Sequence, residues 1–350
     1  MNKIVEIKNE KENNINKNKY KNINLGIELL RAYMSFSIVI LHFLKEEFKT
    51  NFLLKFMFHC QPFYVPTFFL ISFYFSFNMF ISKNIAKIKE RFIRILIPYT
   101  IWPIFLWLRN IIFNHKDINF DYAMFKPILF QLLIGYDFYA VFWFQFDLIV
   151  ITIIFSIIIF SFDTHYFIIL KFMSVFLYII NKTYEERLII YKQIGSIKPL
   201  FGSFIYSFAG FYLRSKSILI KFHIKRNVIF ILIIISFFLI YIHKILIKIS
   251  IRFKIAVVDI VIVCLFIFFG KIPFDSIQND IIKKIIKQLT SYTGGIYYIH
   301  YGVRKIFSTY FPIFNVGNFK ACIINYIVCY LICFIGSTLF KKTKLKFLFL

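Results

Sequence analysis

Residues 139–160 read YAVFWFQFDLIVITIIFSIIIF, with Asp147 as the single charged side chain. A stretch of this length and apolarity matches the roughly 20 residues that a helix needs to cross a hydrocarbon core. It is too long for an ordinary strand, and it lacks the polar face of a surface helix. Tyr139 and Trp143 stand at its start, where aromatic residues settle at a membrane interface. Asp147 follows about two turns in, a position where a carboxylate is costly.

Nine further runs resemble this one, so ten spans are predicted: 26–44, 61–82, 95–114, 139–160, 164–180, 199–213, 227–243, 253–270, 289–310 and 319–340. An eleventh apolar patch, 128–138, is too short to span and is expected to be re-entrant or interfacial. The composition agrees. Hydrophobic residues make up 59% of the 350, with 50 phenylalanines, and the mean hydropathy is +0.72. A soluble domain is about 45–50% apolar, and one core of this size has no room for the surplus. A soluble enzyme, a disordered chain and a collagen-like chain are all excluded. The expected fold class is all-α: a polytopic membrane protein of about ten transmembrane helices with both termini cytoplasmic.

The formal net charge is +26, but it does not indicate nucleic acid. Lysine and arginine lie in short clusters between apolar runs, as in membrane proteins. Heavy joint use of Lys, Asn, Ile and Phe also suggests an AT-rich genome, which lowers the weight of the total. With the N-terminus inside, the inside segments hold 24 Lys and Arg, and the outside segments counted together with the outward ends of their flanking spans hold 17. The sign follows the positive-inside rule, although the basic loop 244–254 runs against it. No internal repeat supports an inverted-repeat transporter.

Three regions are expected along the chain: a disordered basic cytoplasmic tail over 1–24, a transmembrane domain over 25–340, and a short cytoplasmic tail over 341–350. No signal peptide is expected ahead of the first span, which has no small-residue cleavage site behind it. The five cysteines show neither disulfide-framework nor zinc spacing and are read as small buried hydrophobes.

Ionisable groups inside a bilayer are candidate functional residues. In the first span, IELLRAYMSFSIVILHF over 27–43, Arg31 and His42 are 11 residues apart. They share a helix face about 16 Å apart along the axis. Glu28 is placed to pair with Arg31, and Glu46 to orient His42. The plainer reading is an interfacial Arg and a His bonded to a neighbouring helix. In the basic loop KNIAKIKERFIRILIPY over 83–99, Arg91 and Arg94 fall on one face. Paired guanidiniums suit phosphate oxygens, and the plainer reading is a positive-inside anchor. In SYTGGIYYIHYGVRKIF over 291–307, His300 can share a face with Tyr297 and Arg304, while Gly294 and Gly295 would permit close helix approach. Asp147 and Asp259 are read as packing partners for a Lys or Arg. No phosphate-cradling Gly loop, H-E-x-x-H or Gly-x-Ser-x-Gly motif is present.

In order along the chain stand IELLR at 27–31 with His42, VPTFFLIS at 65–72, RFIR at 91–94 leading to IPY at 97–99, and VFWF at 141–144. GSFIYSFAG at 202–210 and GIYYIH at 295–300 follow. This ordered set resembles the acyltransferase 3 family of integral membrane O-acyltransferases, from about residue 24 to 340. Where that family usually has Ser-Gly-Phe or Ser-Gly-Tyr, this chain has Ser72, Phe73 and Tyr74.

The resemblance implies about ten helices and transfer of an acyl group from acyl-CoA, most often acetyl-CoA. The acceptor would be a hydroxyl of a cell-surface polysaccharide or its lipid-linked sugar precursor. It implies an essential role for His42, with Arg31 on the same helix, and CoA phosphate contacts for Arg91 and Arg94. Taken together, the expected catalytic residues are His42, Arg31 and His300, the CoA-binding ones Arg91 and Arg94. Glu28, Glu46, Ser72, Trp143, Asp147 and Tyr297 are the further candidates. Either general-base catalysis or a transient acyl-imidazole fits a buried neutral His. Membrane lipids, acyl-CoA and the sugar acceptor are the expected partners, with no metal and no nucleic acid, in the bacterial cytoplasmic membrane. The rival readings are a polysaccharide exporter or flippase, which needs no acyl-CoA, and a non-catalytic membrane subunit.

Overall fold

A computed structural model describes residues 25–43, 61–113, 142–185, 197–216, 251–270, 280–311 and 319–350, with isolated positions in 128–135 and 227–235. These residues form helices α1 Leu25–Phe43, α2 Gln61–Ile81, α3 Ile85–Phe113, α4 Trp143–Ser161 and α5 Tyr166–Glu185. Helices α6 Ile197–Ser215, α7 Ile251–Gly270, α8 Asp280–Ser291, α9 Thr293–Tyr310 and α10 Phe319–Leu339 follow, then a 3-10 turn Lys344–Leu348. Among the described residues there is no strand.

Nine of the predicted spans coincide with these helices. The span expected over 227–243 falls mostly outside the described residues, as do the tail over 1–24 and most of the patch over 128–138. Among the described residues, four helices are long and apolar enough to cross a membrane by length and composition: α2, α3, α4 and α10. Shorter apolar stretches lie in α5 and α7. One helix, α8, was not expected as a separate element. Its polar residues Lys284, Lys287 and Gln288 interleave with exposed Ile281, Ile282 and Ile285.

The burial pattern is that of a bundle in lipid. On α5, Ile168, Phe172, Val175, Phe176 and Ile179 recur at helical spacing and are all more than half exposed. The interior holds Gln145, Asp147, Thr152, Ser207, His300 and Asn325, all essentially inaccessible. A soluble protein sorts its side chains the other way. Hydroxyls within the apolar helices bond back to their own backbone: Thr67 to Phe63 O, Ser174 to Leu170 O and Ser207 to Ser203 O. That local satisfaction is what allows such residues in an apolar helix.

Helix α1 sits at the centre and packs against α2, α7, α8, α9 and α10. Ile27, Leu30, Met34 and Ile38, spaced by three and four, form its buried stripe. The most extensive packing joins α2 to α6. It depends on Gly210, where an added Cβ would collide with the Leu70 carbonyl of α2.

Several contacts gather the basic segments at one end of the bundle. Lys83, after α2, pairs with Asp163 in the α4–α5 turn. Arg214, ending α6, reaches the Tyr74 hydroxyl at 3.4 Å. The 3-10 turn with Lys344 and Lys346 packs on α3 and α10. Residues 344–350 do not stand apart from the bundle. The Leu348 carbonyl accepts from Trp102 Nε1 at 3.2 Å, and Phe349 stacks on Phe340. Gly294 and Gly295 therefore make room chiefly for the backbone of Phe349 and Leu350, with Cys333 of α10 also against Gly295. Cys264, Cys322, Cys329 and Cys333 are free thiols, and the last three are buried.

Candidate functional site

Helices α1, α2, α3, α4 and α9 meet around a cavity of about 640 Å³. Its wall carries Arg31, Ser72, Arg91, Arg94 and Tyr297, five of the residues singled out in the sequence. They come from four helices and span 266 positions of chain, so only folding brings them together.

Arg91 is held by neutral groups. Its Nη1 donates to Ser76 Oγ at 2.7 Å, its Nη2 to Ser72 Oγ at 2.9 Å, and its Nε to Thr152 Oγ1 at 3.4 Å. The Phe73 ring lies under the guanidinium at 5.1 Å. Ser72 and Ser76 are one helical turn apart, so α2 presents both hydroxyls on one face. Ser76 also donates to the Ser72 carbonyl at 2.7 Å, which fixes its rotamer. The result is a planar cation, oriented by three hydroxyls and one aromatic face, beside a cavity. Its partners include no carboxylate among the described residues.

The other two guanidiniums have counter-ions. Arg31 Nη2 pairs with Glu28 at 2.7 Å, as the spacing predicts, and donates to the Thr290 carbonyl at the end of α8 at 2.6 Å. Arg94 Nη2 pairs with Glu90 at 2.9 Å, and its guanidinium lies over the Phe347 ring at 5.2 Å.

The Phe73 ring, where the family pattern has glycine, is fully buried. It contacts Phe80 at 5.9 Å and Phe155 at 4.7 Å between centroids. The ring fills the space between α2 and α4 and supports Arg91 from below.

Tyr297 lines the cavity and packs edge-on against Phe144 at 5.2 Å. His300 lies one turn further along α9, 5.9 Å from Tyr297 ring to ring. It is fully buried and is not on the cavity wall. Its Nδ1 sits 2.6 Å from the Tyr297 carbonyl and 3.2 Å from that of Ile296. A carbonyl only accepts, so Nδ1 carries the hydrogen, and in the neutral ring Nε2 holds the lone pair.

Asp147 is fully buried behind Phe144 and Leu148 and accepts from Ser203 Oγ of α6 at 2.7 Å. Asp259 accepts from Tyr206 Oη at 2.5 Å and Tyr178 Oη at 3.3 Å. The sequence reading expected lysine or arginine partners for these two carboxylates. Hydroxyls of Ser203, Tyr178 and Tyr206 are among the groups that reach them, since the apolar helices around them carry Ser and Tyr at facing positions. Gln145, two residues before Asp147 on α4, is fully buried as well. Trp143 opens α4, half-buried, with its ring edge-on to Phe144 and off the cavity wall.

His42 lies in the last turn of α1, 11 residues of unbroken helix from Arg31, or about 16 Å along the axis. Its side chain and the whole of Glu46 fall outside the described residues. The sequence reading did not name Ser76, Thr152 or Tyr298. Ser76 carried a readable signal, its i, i+4 relation to Ser72. Thr152 carried none, since it meets Arg91 across 61 residues of chain. Among the described residues no three His, Cys, Asp or Glu side chains cluster as metal ligands.

An all-helical bundle with apolar side chains turned outward, polar groups buried among its helices and a cavity walled by cations is a multi-pass membrane protein. A sequence profile of the acyltransferase 3 family, described as an acyltransferase domain, matches residues 24–342. The chain belongs to that family and is an acyltransferase. No curated protein and no solved structure matches it.

Proposed function

We propose that the protein moves an acyl group, acetyl in the simplest case, from acyl-CoA to a hydroxyl. The acceptor is a cell-envelope polysaccharide or a lipid-linked sugar, and the site of action is the bacterial cytoplasmic membrane. The observation that carries this reading is Arg91: a guanidinium at the cavity wall whose described partners are three hydroxyls. A cation with no carboxylate partner among the described residues, in so apolar a bundle, calls for an anion. Arg31 and Arg94 add two more guanidiniums on the same wall. Phosphates of a CoA thioester meet all three requirements: negative charge, bidentate acceptor geometry and an acyl group to give.

In this reading Ser72 and Ser76 aim Arg91, and Glu28 and Glu90 set the reach of Arg31 and Arg94. The donor's arm runs along α1 from Arg31 toward His42, a separation of about 16 Å. The acceptor hydroxyl gives its proton to the neutral His42 imidazole as its oxygen attacks the thioester carbonyl. The C–S bond breaks, the ester forms, and the proton passes to the departing sulfur. The same imidazole serves equally as a transient acyl carrier, in which case thiol appears in a burst before acceptor is added. Tyr297 closes the wall beside Phe144, and His300 behind it acts as a positioning residue.

The test is thiol release from acetyl-CoA by purified protein in liposomes, supplied with candidate sugar acceptors. His42→Ala should abolish transfer, and the double change Arg91→Ala and Arg94→Ala should raise the donor concentration needed at least tenfold. An active His42→Ala protein would overturn the mechanism. Failure of the wild type to bind acetyl-CoA at all would overturn the donor assignment.

A further inference from the structure

A second cleft lies on the other side of Glu90 from the main cavity, with a volume of about 370 Å³. Lys89 at the start of α3 and Lys342, Lys344 and Lys346 from the C-terminal turn line it. Glu90 is common to both spaces. Glu90 is already paired with Arg94 at 2.9 Å, so the second cleft sets four lysines around one carboxylate that has a partner of its own. The turn that carries Lys344 and Lys346 is itself anchored. Thr343 Oγ1 accepts from Leu345 N at 3.2 Å and caps the 3-10 turn. Phe347 is buried beneath, under both the Arg94 guanidinium and Lys346 Nζ.

The two spaces differ in chemistry. The main cavity offers guanidiniums, which suit paired oxygens. The second offers ammonium groups, which act as point charges around a compact dianion. Coenzyme A carries two such groups, a pyrophosphate and a ribose 3′-phosphate monoester. We infer that the lysine cleft is a phosphate-monoester site and that it takes the 3′-phosphate at the nucleotide end of the donor. This rests on the acyl-CoA reading above and adds a place on the chain to it: residues 342–346, which lie outside the helices that form the cavity. An anionic lipid headgroup shares the same chemistry, but the cleft adjoins the cavity, with Glu90 lining both, and that adjacency favours the donor.

The test compares binding of coenzyme A and 3′-dephospho-coenzyme A to the full-length protein in phosphatidylcholine nanodiscs. It uses the wild type and the triple variant Lys342→Gln, Lys344→Gln, Lys346→Gln. The wild type should bind coenzyme A about tenfold more tightly than the dephospho form. The triple variant should lose that preference while binding the dephospho form as before, which a merely misfolded protein would not do. Equal wild-type affinity for the two ligands overturns the inference and leaves the acyl-CoA reading standing. Binding of neither overturns that reading and this one with it. A repeat with phosphatidylglycerol in the nanodiscs separates the two phosphate sources. A preference that persists assigns the cleft to the donor, and one abolished by the anionic lipid assigns it to a headgroup and overturns the inference.

Discussion

Arg91 shows how much a single side chain depends on its supports. Its fork needs three acceptors at 2.7, 2.9 and 3.4 Å, supplied by Ser76, Ser72 and Thr152. Lysine keeps the charge but puts all its donors on one nitrogen and cannot span the three hydroxyls. Arg91→Lys should therefore weaken coenzyme A binding about tenfold at unchanged net charge, read by calorimetry. Wild-type affinity in that variant would mean that charge alone is used. Phe73 supports the same guanidinium from below and fills the space between α2 and α4. Phe73→Gly, which restores the family's usual residue, removes a buried ring and adds a flexible helix position. It should cost about 3 kcal/mol or more, seen as a lower thermal midpoint in detergent. At this scale the sequence identified Arg31, Ser72, Arg91, Arg94 and Tyr297 because each falls in a short motif. It was silent on Thr152, which has no local pattern linking it to Arg91.

At the scale of elements, the α2–α6 contact sets the geometry of the cavity, because α2 carries Ser72 and Ser76. The two glycines of the mid-chain segment 202–210 differ sharply in what surrounds them. A Cβ on Gly210 would run into the Leu70 carbonyl, whereas one on Gly202 would meet only the Asn181 amide at 3.8 Å. Gly210→Ala should push the helices apart and destabilise by about 1–3 kcal/mol, with a parallel loss of donor binding. Gly202→Ala should be silent in both. Thermal unfolding and coenzyme A titration of the two variants check this, and equal effects would show that α2 and α6 can separate freely. Both glycines were visible in the sequence, but their inequality was not, since it depends on which one the neighbouring helix crosses. The α9 glycines tell the same story. Their positions suggested close helix approach, and the structure brings chiefly the backbone of residues 349–350 against them.

Across the whole molecule, the packing of the 3-10 turn on α3 brings the basic segments 83–94 and 341–346 to one end of the bundle. By the charge tally that end is expected on the cytoplasmic side. Cysteines introduced by Lys87→Cys and Lys342→Cys should both react with a membrane-impermeant maleimide from the cytoplasmic side alone. Labelling of the two from opposite sides would contradict the fold, and labelling of both from outside would reverse the orientation.

The sequence by itself determined that the chain is helical, that it belongs in a membrane and that it is an acyltransferase of a known family. All three are local properties: the length of an apolar run, the absence of a polar face, and the order of short motifs. Only the tertiary structure decided which side chains meet. Arg91 finds Thr152 across 61 residues, and Arg31 finds the Thr290 carbonyl across 259. The reason is physical. Periodicity tells a helix which face to bury, but not against which partner or at what height. In an apolar bundle many pairings bury similar area, and the choice falls to small residues such as Gly210 and to a few buried hydroxyls.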